Sequence, residues 1–409
     1  MLELRIPKIR VFEPFFWLYY IWYYLPVARV FFRSDNYNTL FFGIFLGACV
    51  LCFADALFPY KKLQKGFNVL IPILIYFAVF ILLVIFDVET ADRHIRISFT
   101  FWGTLIVYFL TSSFPQAQKR LTILFLGLFL ITTITSLIGV TTNQNAARIL
   151  TYAANDIQED IAIRKLNVGG ISFFQGLVIC VPILVTFLSR KKYFSISLIL
   201  LLTIFLCLLS ASFTISLTMF FVALVLGYLA NNEFSKKTVV VVLILAIIAF
   251  VVPWDQAMKY LAGAFTNEAF SARFDSIATS LTYGYASGNL GSRIDVYDMS
   301  LKTFLHNFFG VGPNYSYVVG HNGIGYHSQF LDDLARYGIF AVLFYVLFFV
   351  GYSKMLSEQW RKIGMNQVVI PVVIVYFLFL IFNLGFTSSH EGVLMLYLIP
   401  ALPTIIKKM

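Results

Sequence analysis

The chain has 409 residues, of which 60% are hydrophobic and 12% charged, with a mean hydropathy of +0.84. Soluble proteins are about 45–50% apolar and about 25% charged, so this chain has too little polar surface to cover a water-soluble globule. A soluble enzyme, a secreted disulfide scaffold, a disordered chain and a DNA-binding protein are excluded, and the net charge of +10 reads as membrane topology, with no nucleic-acid partner.

The basic N-terminus (Arg5, Lys8, Arg10) runs into an aromatic apolar stretch with no small-residue cleavage site, which predicts an uncleaved first span. Apolar runs of about 17–20 residues, each able to cross a core of roughly 30 Å, then predict twelve spans over 14–31, 39–58, 67–86, 97–113, 121–140, 170–188, 194–212, 213–230, 238–254, 338–353, 367–384 and 392–406. Only Ser210, Ala211 and Ser212 mark a turn between the seventh and eighth. The cysteines, Cys49 and Cys52 (a CxxC), Cys180 and Cys207, all lie in apolar runs and read as small packing residues.

With the N-terminus inside, the inner segments carry Arg5, Lys8, Arg10; Lys61, Lys62, Lys65; Lys119, Arg120; Arg190, Lys191, Lys192; Lys236, Lys237; Lys354, Arg361, Lys362; and Lys407, Lys408. Every inner segment then has at least two basic residues, so both termini are predicted to be cytoplasmic. The twelve basic residues left outside include nine arginines: Arg29, Arg33, Arg93, Arg96, Arg148, Arg164, Arg273, Arg293 and Arg336. Arginine offers a planar fork that grips phosphate bidentately and keeps its charge beside apolar surroundings. A phosphate-bearing ligand on the outer face is therefore expected.

Residues 1–409 read as a single membrane domain with two outer segments too long to be turns, 141–169 and 255–337. The second is the expected seat of the active site. Within it Arg293 opens a helical pattern, with Ile294, Tyr297, Leu301, Phe304 and Leu305 on one face. Helix breakers follow at Gly310, Gly312 and Pro313. A second helix is expected from His327 or Ser328, with Phe330, Leu331 and Leu334 inward and an end at Gly338.

This stretch resembles the O-antigen ligase and polysaccharide polymerase superfamily of bacterial membrane proteins, which act on undecaprenyl-diphosphate-linked glycans. The resemblance rests on Arg293, the amphipathic helix, Gly310-Val311-Gly312, and then His327-Ser328-Gln329-Phe330-Leu331 through Leu334-Ala335 and Gly338-Ile339. Asn307 stands where the family usually has Pro, and Arg336 where it often has an acid. Arg164 before Gly169-Gly170 is similar to the family's first-loop arginine; the turn 209–216 is similar to another family turn but has Phe213 in place of Arg.

The resemblance implies an all-α, GT-C-like polytopic membrane protein in the bacterial inner membrane, with its active face extracytoplasmic. It implies a glycosyltransferase that moves a growing glycan from undecaprenyl diphosphate onto a lipid-linked repeat unit, so lipid-linked oligosaccharide is both donor and acceptor. A flippase and a chain-length regulator are the implied protein partners, beside the bilayer itself. Arg164 and Arg293 would hold the donor diphosphate, with Arg273 as a third. Diphosphate is a good leaving group and needs charge neutralisation more than a general acid. No DxD motif is present, and Asp295 and Asp298 read as a helix-surface pair, so no metal or cofactor is expected. The acceptor hydroxyl needs a base, a role for which imidazole is suited at neutral pH; His327 fits it. Tyr297, Tyr315, Tyr326 and His321 are candidate sugar contacts. His94 reads as interfacial, His306 as structural, and His390 beside Glu391 as a further possible substrate contact.

The main competing reading is a ligase that moves finished glycan to lipid A core or protein. A transporter of lipid-linked sugars would need polar groups along the spans, which are sparse, and a scaffold would leave the Arg/His pattern idle.

Overall fold

The computed structural model describes residues 9–32, 35–57, 74, 78, 91–143, 146–149, 157–191, 193–211, 213–231, 253–264, 268–283, 288–312, 318–319, 322–383 and 389–406. The predicted spans 67–86 and 238–254 lie almost wholly outside the described residues, as do Tyr315 and His321.

The regular elements of the described residues are helical apart from one two-residue antiparallel pairing, Val318–Val319 with Asn322–Gly323. In chain order the helices are α1 (Phe12–Tyr24), α2 (Pro26–Phe31), α3 (Asp35–Leu57), α4 (Ala91–Ser112), α5 (Pro115–Thr142), α6 (Ala146–Ile149), α7 (Ile157–Lys165), α8 (Ile171–Ile179), α9 (Val181–Ser189), α10 (Phe194–Ser210) and α11 (Thr214–Asn231). The second long loop contributes α12 (Trp254–Ala264), α13 (Glu268–Tyr283), α14 (Gly288–His306) and α15 (Gln329–Tyr337). Then come α16 (Ile339–Arg361), α17 (Val369–Phe382), α18 (Ser389–Gly392), a π-helical turn over Val393–Leu398, and α19 (Ile399–Ala401). Among the described residues five helices are long and apolar enough to cross a membrane, within 37–55, 115–142, 171–189, 214–231 and 339–361; shorter apolar helices cover 101–112, 194–210, 366–382 and 393–404. The protein is a polytopic membrane protein.

Two predicted spans are interrupted rather than regular throughout. The first breaks at Leu25, which is extended (φ −83°, ψ 116°), because Pro26 cannot donate to the helix and pushes its predecessor out of the helical region. The chain restarts as α2 at Pro26. The sixth is divided at Cys180 into α8 and α9, where Pro182 enters the first turn of the second piece.

Aromatic packing fills the bundle. Trp102 of α4 meets Phe344 and Phe348 of α16 edge-on at 5.8 and 5.3 Å, and Tyr397 meets Tyr108 and Phe125 at 5.9 and 4.8 Å. The cysteines are free thiols, as expected of packing residues.

Loops that the alternation assigns to one side meet one another. At one end Glu13, buried, receives two hydrogen bonds of 2.6 Å from Arg120. Arg10 pairs with Asp55 at 3.2 Å, Arg190 donates to the Gly364 carbonyl at 2.7 Å, and Asn231 links Thr186 to Gln367. At the opposite end Arg29 approaches Arg164, His390 bonds Tyr24, and Tyr297 bonds Phe382. An apolar cavity of about 370 Å³ is lined among others by Cys180, Phe187, Ser197, Ile204 and Ile406, and by none of Arg164, Arg273, Arg293 and His327.

Candidate active site

α14 presents Arg293, Tyr297, Ser300 and Thr303 at helical spacing. Arg293 Nη1 lies 3.5 Å from the Tyr297 hydroxyl, and that hydroxyl donates to the Phe382 carbonyl in the last turn of α17 at 2.9 Å. The carbonyls of a helix's last turn lack intrahelical partners, so the end of α17 is a natural acceptor for such a tether.

Further along α14 the helix stitches down the loop that leads to His327. The Thr303 hydroxyl accepts from Gly323 N at 2.7 Å and faces its carbonyl at 2.8 Å. Ser300 accepts from Gly325 N at 2.8 Å and donates to Asp332 Oδ1 at 2.7 Å. His327 itself is exposed. Its Nδ1 faces the Gly325 carbonyl at 3.2 Å. A carbonyl only accepts, so Nδ1 is the donor in this contact, which in a neutral imidazole leaves Nε2 as the acceptor.

α15 begins at Gln329, with Ser328 as its N-cap, accepting from Leu331 N at 3.1 Å. The helix therefore starts one residue beyond the expected His327–Ser328. Gln329 N donates to the Asn383 carbonyl at 2.9 Å and the Ser328 hydroxyl reaches the Leu380 carbonyl at 3.4 Å. Arg293, through Tyr297, and His327, through the two residues after it, are thus fastened to one helix end at Leu380, Phe382 and Asn383.

The motif glycines hold α15 in place. Gly310 (φ +89°) and Gly338 (φ +60°) lie against the backbone of the other's segment: an added Cβ would stand 2.2 Å from the Arg336 carbonyl oxygen and 2.1 Å from that of Phe308. The close approach allows Val311 N, Gly312 N and Ile339 N to bond Ala335 O, Arg336 O and Phe308 O at 3.0, 2.9 and 3.0 Å.

α15 is buried and charged, a feature that sequence reading did not anticipate. Asp333 accepts from Gln329 Nε2 at 2.9 Å and from the Tyr345 hydroxyl at 2.7 Å, and pairs with Arg336 at 3.5 Å. Burial pushes the Asp333 carboxyl up to about 6, against the Arg336 charge and these hydrogen bonds, and also raises Asp332. The Arg336 guanidinium stands 5.4 Å from the centre of the Tyr326 ring, whose residue adopts φ +57°. Arg336 is therefore the counter-charge of Asp333. The only sequence signal was charge on a helix otherwise fit for burial.

The remaining candidates are distributed around α8. Arg273 of α13 donates to the Thr214 hydroxyl, at the start of α11, at 3.3 Å. Arg164 ends α7, half-buried. His390 donates from Nε2 to the Tyr24 carbonyl at 2.7 Å and sits between the rings of Tyr24 and Phe173. Burial and the Arg29 charge push it down to about 3, so it stays neutral and serves as a tie. α8 packs against α11, α17 and α18, the elements that hold the Arg273, Tyr297 and His390 contacts. His306 bonds the Lys302 carbonyl within its own helix at 2.7 Å, a structural contact, and Asp298 pairs with Lys302 at 2.5 Å on the helix surface. Among the described residues no three His, Cys, Asp or Glu side chains gather as a metal-binding group.

Residues 196–346 match the O-antigen ligase family model. The matched stretch takes in the 291–341 motif and bears out the resemblance drawn from it. It takes in Arg273, Arg293 and His327, and leaves Arg164 outside. None of the curated proteins compared with the chain matches it.

Proposed function

We propose that the protein is a polysaccharide polymerase of the inner membrane, with twelve spans, both termini cytoplasmic and a GT-C-type active face outside, built on the two loops 141–169 and 255–337. One observation carries the reading: the Arg293–Tyr297 pair and the His327 junction are fastened to the same last turn of α17. A cation and a basic nitrogen on one helix end suit a reaction in which charge leaves on one side of an anomeric carbon and a proton leaves on the other.

In the proposed step an acceptor sugar hydroxyl attacks the anomeric carbon of the donor. A new glycosidic C–O bond forms as the C–O bond to lipid diphosphate breaks. The acceptor proton passes to His327 Nε2, and the departing diphosphate keeps the bonding electrons, with Arg293 and Arg164 neutralising its charge. Arg273 supports the outer turn at Thr214 and adds positive potential. Tyr297, Tyr315, Tyr326 and His321 contact the sugars. The reaction is assigned as metal-independent, because no DxD motif is present and the Asp332–Asp333 pair is engaged by Ser300, Gln329, Tyr345 and Arg336. A flippase and a chain-length regulator are proposed as partners on the family resemblance alone.

A ligase is the second reading, favoured by the description of the matching family model. The two separate on incubating pure protein with one lipid-linked repeat unit and no other acceptor. A ladder of products is the expected result. No ladder, with transfer restored by a lipid A core or protein acceptor, would replace polymerase with ligase.

A further inference from the structure

His327 is flanked by two backbone points that one side chain holds together. On its N-terminal side Gly325 lies so close to α14 that an added Cβ would run into the Val296 carbonyl oxygen. The Gly325 N–H is taken by the Ser300 hydroxyl at 2.8 Å, and the Gly325 carbonyl faces His327 Nδ1 at 3.2 Å. The Ser300 hydroxyl donates in turn to Asp332 Oδ1 at 2.7 Å. On the C-terminal side of His327, the Ser328 carbonyl accepts from the backbone N–H of the same Asp332 at 2.9 Å. Asp332, in the first turn of α15, thus grips both neighbours of the imidazole: Ser328 through its backbone, and Gly325 through Ser300.

Ser300 and Asp332 are both buried. A hydroxyl hydrogen turns to suit its surroundings, and a carboxylate beside it fixes that rotor, because the carboxylate accepts only. With its proton on Asp332, Ser300 keeps its lone pairs for Gly325 N. A hydroxyl turned elsewhere would leave that buried N–H without a partner, which is costly. Glycine is the residue whose own chain least determines where its carbonyl points, so the direction of the Gly325 carbonyl depends on what pins its N–H. A staple between α14 and α15 would need only the bond from Ser300 to Asp332. The further bond from Gly325 to the same hydroxyl carries the arrangement on to the residue that faces the ring.

We propose that Ser300 and Asp332 are positioning residues for His327: the carboxylate fixes the hydroxyl, the hydroxyl fixes Gly325, and the Gly325 carbonyl selects the Nδ1–H tautomer that leaves Nε2 for the acceptor. The proposal rests on the base role given to His327 under the functional reading and adds the residues that orient that base. A catalytic base is commonly held by a third group; here the hold passes through a serine and one glycine. Neither residue touches substrate, and no proton moves along the chain. When Nε2 takes the acceptor proton, Nδ1–H keeps the same carbonyl.

The test uses the full-length protein purified in detergent and isotope-labelled at the histidine ring nitrogens. The chain has five histidines, and the His327 signals are those missing from His327→Asn. Nitrogen NMR separates the Nδ1–H from the Nε2–H form, and wild-type His327 is expected as Nδ1–H. Ser300→Ala and Asp332→Ala should admit the Nε2–H form and lower kcat about ten-fold or more, part of the 10²–10⁴ that a base supplies, while the donor KM stays near the wild-type value. Farnesyl diphosphate, a soluble probe of the donor site, should still raise the melting temperature of each variant, as a ligand of the folded state does. Asp332→Asn keeps an acceptor for Ser300 and should recover most of the turnover and the Nδ1–H form. Ser300→Cys fills the same space but accepts poorly, and replaces Ser300→Ala if that variant yields no folded protein. An Nε2–H form in the wild type would overturn the proposal without any substitution. So would an unaltered tautomer in the Ser300 and Asp332 variants, even with a lowered melting temperature, since the pair would then be only a staple. A tautomer that shifts while turnover does not would leave the positioning standing and remove His327 as the base instead.

Discussion

Replacing His327 separates chemistry from folding more cleanly than any other change in the site. The side chain is exposed and its one hydrogen bond is to the Gly325 carbonyl at 3.2 Å. Its removal should cost less than about 0.5 kcal/mol of stability, as surface substitutions usually do. Loss of a general base costs about 10²–10⁴-fold in rate, or about 3–5.5 kcal/mol of barrier at about 1.4 kcal/mol per factor of ten. The gap between the two figures is the prediction. His327→Asn sharpens it, because an amide N–H can replace Nδ1–H at Gly325 while supplying no basic nitrogen. Both His327→Ala and His327→Asn should therefore be folded, should bind farnesyl diphosphate like the wild type, and should form polymer at least about 100-fold more slowly. The assay is product-ladder formation from a lipid-linked repeat unit, with melting temperature and probe binding measured on the same preparations. Polymerisation at more than about a tenth of the wild-type rate in both variants would refute the base assignment. An inactive His321→Ala beside an active His327→Ala would shift the motif register by six residues.

Arg293→Lys should be nearly as damaging as Arg293→Ala in the ladder assay, because lysine cannot supply the fork; Tyr297→Phe, which cuts the tether to Phe382, should lower activity with a smaller effect. Thermal stability should fall as pH rises through about 6, where Asp333 ionises in its buried site. The folded value lies above the unfolded one, so this contribution is complete below about pH 4 and lost above about pH 6, amounting to roughly 3 kcal/mol at about 1.4 kcal/mol per pH unit. Differential scanning between pH 4 and 8 checks it, and Asp333→Asn should flatten the profile. Gly338→Ala should destabilise by about 1–3 kcal/mol or more through backbone strain and the clash with Phe308, seen as lost folded yield on size-exclusion chromatography. Activity should survive excess EDTA; loss in EDTA with rescue by Mg²⁺ or Mn²⁺ would move attention to Asp332 and Asp333.

Composition and local order alone determined the membrane class, the placement of most described spans, and which loops share a side. A span is set by a contiguous apolar run and its orientation by short flanking charges, and both are local quantities. The helix carrying Arg293, the glycine breaks and the helix after His327 were legible for the same reason: periodicity, turn residues and a Ser cap are written within a few residues. Tertiary structure decided the rest. Pro26 is visible in the sequence, but only packing seats the helix after it, α2, against α7 of the first long loop. The tethers of Tyr297 and Gln329 depend on free carbonyls at the end of α17, far along the chain from either. The buried Asp333–Arg336 pair exists because α15 is enclosed by α14, α16 and α17, and the desolvation that raises Asp333 comes from those neighbours, not from its own helix.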